Sequence, residues 1–470
     1  MKIAIINPPN IGDFQANRDL MGGFGCASMK SMIVNPPSLN SLYVASILKK
    51  DNEVKYIDCA ALDLDKDQLM NKIKECGPEL IIVSVGSATY DYDLKVISEI
   101  KDIGGVCIII GPQGAASPEY ALKNSKVDIV VLGEPELIIS DIVEKVKKKE
   151  SYSEIEGIAY RKEGEVIKNK AREHIKELDK LPYPSWELLP FEKYSYQNPK
   201  DRPHLAILSS RGCPFSCIYC PYPVTQGTNL RLRGAEEVVN EIKYLVEKFD
   251  LKSLMFRDPC LTASKEHMIK ICQLIIEKGI KIKWWCETAT STVDDGLLKM
   301  MHESGCRGIN FGVESGNLDF SSEYAKKTGG MEKAIGAFNL CRKYEIETTA
   351  FFILGLPGET EETIKDTINF AIKLEPDYVD FHCASPYPGT KLYDIMREKG
   401  EIKEEFHKDL TGHTAFSSTE HISKDRLREF VGIAYQRFYR RPSRVLYELR
   451  NRPLWFLQRI MGYFKFKKIN

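Results

Sequence analysis

Short runs that are apolar on nearly every residue alternate with longer amphipathic segments from Lys2 to about Lys149. The runs are Ile3–Ile6, Val54–Ile57, Leu80–Val85, Val106–Ile110 and Ile129–Leu132. A strand with consecutive apolar residues has to be buried on both faces, which happens in a parallel sheet covered by helices on either side. The segments between them, such as Ser41–Lys50, Lys66–Lys74 and Asp93–Lys101, have the length of crossover helices. An α/β, doubly wound domain of five strands is therefore expected over residues 1–150.

The rhythm breaks over residues 151–202. Ile158-Ala159-Tyr160 and Glu165-Val166-Ile167 flank Glu163-Gly164 as in a hairpin. Leu178-Asp179-Lys180-Leu181-Pro182-Tyr183-Pro184 is too proline-rich for a helix and reads as a draped linker. Alternation then resumes over 203–400, with strands expected at Ser253–Phe256, Lys283–Cys286, Gly308–Gly312, Thr348–Leu354 and Tyr378–Cys383. Together with Leu205–Leu208 these make six βα units, a partial (β/α)6 barrel of TIM type. A helical, basic and aromatic region fills 401–470.

Directly after Leu205–Leu208 comes Arg211-Gly212-Cys213-Pro214-Phe215-Ser216-Cys217-Ile218-Tyr219-Cys220. Thiolates are the ligands of iron–sulfur clusters. Cys213, Cys217 and Cys220 on one loop can each reach a different iron of a cubane, which leaves the fourth iron open to another ligand. Zinc usually asks for paired C-x2-C spacings or histidines at matching distance, and none stands near Cys213. The chain has 13 cysteines in 470 residues, an odd number and mostly isolated, unlike a secreted disulfide framework. A reducing, cytoplasmic setting is expected. Equal numbers of basic and acidic residues give no global basic field for nucleic acid. No apolar run approaches the roughly 18 residues that cross a bilayer.

The spacing of the three cysteines resembles that of the radical S-adenosylmethionine (radical SAM) enzymes. The resemblance implies a 4Fe–4S cluster whose open iron is chelated by S-adenosylmethionine, with Tyr219 near the adenine. It implies further cofactor contacts at the strand ends: Asp258; Glu287, after Trp284-Trp285-Cys286; Glu314 and Gly316 of Gly312-Val313-Glu314-Ser315-Gly316; and Gly355 and Gly358 of Gly355-Leu356-Pro357-Gly358-Glu359-Thr360. The N-terminal part looks like the cobalamin-binding domain that precedes the radical module in one branch of the superfamily. Its matching features are Asn7-Pro8-Pro9 after the first strand, Pro36-Pro37, Gly111-Pro112 and Gly133-Glu134. The D-x-H-x-x-G signature that supplies a cobalt ligand elsewhere is absent, and Gln113 stands where many relatives carry histidine.

What the family resemblance implies is cleavage of S-adenosylmethionine to a 5′-deoxyadenosyl radical and C-methylation of an unactivated carbon of a small-molecule or lipid substrate. Electrons would come from a donor such as flavodoxin or ferredoxin. Two alternatives stay open: a radical oxidation or ring closure, as in the anaerobic cyclase of bacteriochlorophyll synthesis, and a regulator that binds cobalamin or the cluster without turnover. From Arg437 to Asn470 the chain is basic and aromatic, with Glu448 its only acid. That end is either a helix packed on the barrel or a peripheral membrane contact with Trp455 at the interface.

Overall fold

Two parallel sheets organise the chain. The computed structural model describes residues 1–18, 26–29, 36–195, 201–317, 320, 324, 329–402 and 418–451. The expected membrane-facing stretch around Trp455 lies outside them. Among the described residues no helix is long and apolar enough to cross a membrane.

The first sheet holds β1 (Lys2–Asn7), β2 (Glu53–Asp58), β3 (Leu80–Ser84), β4 (Val106–Ile110) and β5 (Ile129–Val131), parallel and in the order β2-β1-β3-β4-β5. Alternate residues of one strand enter different cores, as the consecutive apolar runs require. Ile3, Ile5, Leu80, Ile82, Ile108 and Ile110 pack on one face, while Ala4, Ile6, Ile81, Val83 and Ile109 pack on the other. Helices α1 (Leu39–Leu48) and α4 (Pro135–Lys148) cover the first face, and α2 (Lys66–Cys76) and α3 (Tyr90–Ile103) the second.

The hairpin read from sequence as part of the linker does more than connect. Its strand β6 (Ile158–Lys162) pairs antiparallel onto β5 and β7 (Glu165–Lys168) onto β6, so the sheet has seven strands among the described residues rather than five. The open edge of β5 needs hydrogen-bond partners, and Ile158, Ala159 and Tyr160 bury their side chains by supplying them. The segment after it is also fixed rather than draped. Trp186 and Tyr194 are fully buried; the Trp186 indole N–H donates to Glu241 Oε1 at 3.0 Å and the Tyr194 hydroxyl to Asp58 Oδ2 at 2.7 Å.

The second sheet runs β8 (His204–Ile207), β9 (Ser253–Phe256), β10 (Lys283–Ala289), β11 (Cys306–Glu314), β12 (Glu347–Leu354) and β13 (Tyr378–Cys383), all parallel and in chain order. Leu254, Trp284, Ile309, Phe311, Phe352 and Phe381 face the surrounding helices in one large core. Those helices are α5 (Ala235–Phe249), α6 (Lys265–Glu277), α7 (Asp295–Glu303), α8 (Gly330–Lys343) and α9 (Glu361–Leu374), followed by α10 (Lys391–Glu398). The barrel does not close: β8 and β13 are its edges. Helix α11 (Lys424–Tyr439) covers the β13 edge, where the N–H groups of Val379 and Phe381 donate to the hydroxyls of Tyr439 and Tyr435, both at 3.2 Å.

Helix α1 ties the halves together. Nine of its ten residues are buried because it serves both cores: Leu39, Leu42 and Tyr43 belong to the barrel side, and Val44, Ala45 and Leu48 to the first sheet.

Candidate cofactor site

The cysteine loop leaves the end of β8 and is gripped from behind. The Ser209 N–H donates to both carboxylate oxygens of Asp258, at 3.2 and 3.1 Å, and the hydroxyls of Ser209 and Ser210 donate to Oδ1 at 2.8 and 2.6 Å. Asp258 is fully buried; burial pushes its carboxyl above the ordinary range, and the serine donors pull against that shift. Both oxygens of Asp258, a residue expected beside the cofactor, are engaged in shaping the loop. Gly212 adopts φ +80°, and a Cβ there would lie 2.1 Å from the Asn229 carbonyl oxygen, so only glycine fits. Its N–H donates to Gln226 Oε1 at 3.1 Å.

Farther along, Ile218 packs against Ile353, Leu356, Ala384, Leu392 and Met396, and its carbonyl accepts from the Leu392 N–H at 2.9 Å. Cys213 and Cys217 are buried and Cys220 half-buried, with Cys213 packed beside Cys260, Ala289 and Phe215. Three thiols on one loop with a fixed backbone fit a cubane cluster that keeps one iron for another ligand.

Tyr219 lies against the end of β11. Burial, then the neighbouring Glu314 and the thiols of Cys217 and Cys220, hold its hydroxyl well above the ordinary range. Glu314 sits where the β11–β12 register shifts, at φ +71°, a strained conformation for a side-chain-bearing residue. Gly316 is fixed by packing: a Cβ would meet Phe370 Cβ at 2.6 Å and Thr367 Cα at 2.8 Å, and its N–H donates to Thr367 Oγ1 at 3.0 Å.

After β12, Gly355 and Gly358 take φ +87° and +85°. Sequence reasoning missed the residue that closes this turn. Glu359 Oε2 accepts from the N–H groups of Gly355 and Leu356 at 2.6 and 2.9 Å, while its buried Oε1 has no partner among the described residues. Burial lifts its carboxyl from 4.5 to about 7, against the pull of those two donors. Glu287 pairs with Arg257 at 3.0 Å.

The carboxyl edge of the first sheet faces the same loop. At the β1/β3 switch point, where ligands of such sheets sit, Arg18 fills the crevice. It pairs with Asp93 at 2.9 Å and donates to Asn7 Oδ1 and to the carbonyls of Pro8 and Pro9 at 3.3, 2.7 and 2.8 Å. Asn7 in turn donates to Asp58 Oδ1 at 2.8 Å. Arg18 carried no signal in the sequence.

One strand pair over, Gly111, Pro112, Gly133 and Glu134 line a cavity of about 20 Å³ together with Asn40, Pro135, Arg211, Thr225 and Gln226. A Cβ on Gly133 would meet nothing within 4 Å, and Ser84 Oγ at the end of β3 is buried with no partner among the described residues. The cavity itself holds about one water molecule, so a ligand as large as cobalamin would lie outside it, against the ledge that Gly133 leaves bare of side chain. Glu134, read from sequence as a cobalamin contact, is already engaged. It accepts from Arg231 Nη1 at 2.9 Å on both oxygens, from Arg211 Nη1 at 3.2 Å and from the Ile175 N–H at 2.7 Å. Arg211 precedes Gly212-Cys213, so its place beside the cysteines was visible; its acidic partners were not.

Residues 207–371 match the family model of the radical SAM superfamily, and residues 34–143 that of the B12 binding domain. The chain is 29% identical to an uncharacterized methyltransferase of Pyrococcus horikoshii over 446 residues, 94% of this chain and 93% of that one. It is 27% identical to the anaerobic magnesium-protoporphyrin IX monomethyl ester cyclase of Rubrivivax gelatinosus, over 84% of this chain and 72% of that one. Among solved structures, the radical S-adenosylmethionine methyltransferase TsrM of Kitasatospora setae, determined with cobalamin and a 4Fe–4S cluster bound, superposes with a TM-score of 0.68. It covers 85% of this chain and 78% of its own at 17% identity, a likeness of fold.

Proposed function

We propose that this chain, which belongs to the cobalamin-binding enzymes of the radical SAM superfamily, C-methylates a small molecule at an unactivated carbon. In this reading residues 1–150 serve as the cobalamin-binding unit, 151–202 as the connection, 203–400 as the radical module and 401–470 as a closing region. When bound, a 4Fe–4S cluster with S-adenosylmethionine supplies a hydrogen-abstracting radical, and methylcobalamin supplies the methyl group.

Cys213, Cys217 and Cys220 would hold the cluster. Tyr219, Glu287, Glu314, Gly355 and Gly358 would line S-adenosylmethionine, with Asp258 and Gly316 fixing the backbone around it. Glu314, held in a strained conformation, presents a carboxylate suited to a ribose or ammonium group. Asn7, Pro8, Gly111, Pro112, Gly133 and Glu134 form the edge toward cobalamin.

The observation that carries this reading is the double grip on the cysteine loop, by Asp258 from the barrel and by Glu134 from the first sheet. A loop held between both carboxyl edges is where two cofactors can share one substrate. The similarity to an uncharacterized methyltransferase over nearly the whole chain supports methyl transfer, and the similarity to the cyclase keeps ring closure as a second reading.

Anaerobically reconstituted, reduced protein supplied with S-adenosylmethionine, hydroxocobalamin that must take its methyl group from S-adenosylmethionine once reduced, and a panel of small-molecule acceptors tests it. Methylation yields both 5′-deoxyadenosine and S-adenosylhomocysteine. Deoxyadenosine alone would favour ring closure, and neither product from cluster-loaded protein would leave a binding regulator.

A further inference from the structure

Between the two sheets lies a buried group of charges that links the expected cobalamin edge, through Glu134, to the root of the cysteine loop, through Arg211. Arg211 extends one guanidinium nitrogen to Glu134 Oε1 at 3.2 Å and the other to Glu136 Oε1 at 2.5 Å. Arg231 closes on Glu134 from the far side at 2.9 Å. The side chains of Arg211, Glu134 and Glu136 are 3%, 6% and 0% exposed, so little water screens them. The ring of Tyr43 on α1 sits under the Arg211 guanidinium, 5.2 Å from its centre. Ion pairs buried this deeply add little net stability, but loss of one partner strands the other charge, so they enforce one geometry.

That geometry joins two particular places. Glu134 directly follows Gly133, the open ledge of the first sheet, and Glu136 comes two residues later in the first turn of α4. Arg211 is two residues before Cys213, and the backbone between them is pinned: the Gly212 N–H donates to Gln226 Oε1 at 3.1 Å and the Cys213 N–H to the Gly227 carbonyl at 3.3 Å. A displacement of the ledge therefore moves Arg211, and Arg211 cannot move without the start of the cysteine loop. Ordering of the loop by a cluster fixes the ledge by the same route.

Building on the cobalamin-dependent reading above, we propose that the Glu134–Arg211–Glu136 triad is a positioning device that makes cobalamin affinity depend on whether the cysteine loop is assembled around its cluster. Arginine suits this place because its rigid planar fork gives each carboxylate its own nitrogen in a fixed geometry, where lysine offers one nitrogen on a flexible stem. Plain interdomain packing would instead change stability without linking the two sites.

The test is an equilibrium titration of hydroxocobalamin into the full chain, once with the cluster reconstituted and once after iron removal with a chelator. Wild-type protein is expected to bind at least fivefold tighter with the cluster in place, at the lower end of the about 5–150-fold range of site-to-site coupling. In Arg211→Lys and Glu136→Gln that ratio falls to about one, while cooperative thermal unfolding is retained. Equal wild-type affinities overturn the proposal without any variant being made, as does an unchanged ratio in both variants. Absence of cobalamin binding in either form removes the parent reading and this inference with it.

Discussion

Asp258 Oδ1 accepts a 2.6 Å hydrogen bond from Ser210 Oγ, and the same carboxylate holds Ser209, joining the loop after β9 to the root of the cysteine loop. An asparagine at 258 keeps one acceptor but points an amide N–H₂ at donors. Asp258→Asn is expected to destabilise the protein by about 1–3 kcal/mol and to speed loss of the cluster's visible absorbance under a chelator. Unchanged unfolding and cluster lifetime would show that the serines hold the loop without it.

Two glycines near the site should behave in opposite ways. At Gly212 a methyl group meets backbone oxygen at 2.1 Å and φ is +80°, so Gly212→Ala combines overpacking with a left-handed alanine. Together these cost roughly 3 kcal/mol or more, and iron content after reconstitution should drop sharply. At Gly133 the same methyl group has nothing within 4 Å. Gly133→Ala should leave stability within about 0.5 kcal/mol, as read by denaturant midpoint.

Glu359 gives a pH signature. Its carboxyl titrates near 7 in the folded chain and at 4.5 unfolded, because burial of the charge outweighs two backbone donors. Below the lower value both states are protonated and nothing is lost. As pH climbs from 4.5 toward 7 the unfolded state ionises first, and stability falls by about 3 kcal/mol. Glu359→Gln mimics the protonated acid, so the variant should match wild type at about pH 4 or lower and exceed it increasingly up to about pH 8. Parallel unfolding curves across that range would place the charge elsewhere.

Much of the fold was legible because burial on two faces leaves a continuous apolar trace, as at Leu80–Val85 and Val106–Ile110. The antiparallel docking of Ile158–Lys162 onto β5 was hidden, since a hairpin's sequence reports its own turn and not the neighbour it pairs with. Within the site, the glycines and cysteines carried a signal because backbone constraint and thiol spacing are local. Arg18 with Asp93 and Arg211 with Glu136 pair across 75 residues of sequence, a separation that leaves no periodic mark. For the same reason the partners of Asn7 and Glu134 left no trace in the sequence.

The open side of the barrel supplies the last prediction. An exposed edge strand presents unpaired N–H groups that invite association with other chains. Here Tyr435 and Tyr439, one helical turn apart on α11, set their hydroxyl oxygens against alternate N–H groups of β13, those of Phe381 and Val379. Tyr435 also donates to Asp380 Oδ1 at 2.5 Å, so its hydroxyl serves the Phe381 N–H and a carboxylate at once, whereas that of Tyr439 accepts from Val379. Tyr435→Phe should therefore cost more than Tyr439→Phe, each within about 1–3 kcal/mol. The amides of Phe381 and Val379 should exchange with deuterium at least about tenfold faster in the matching variant, each 1.4 kcal/mol of lost protection being tenfold. Retained protection at both amides in the double variant would mean that water, not the tyrosine pair, satisfies this edge.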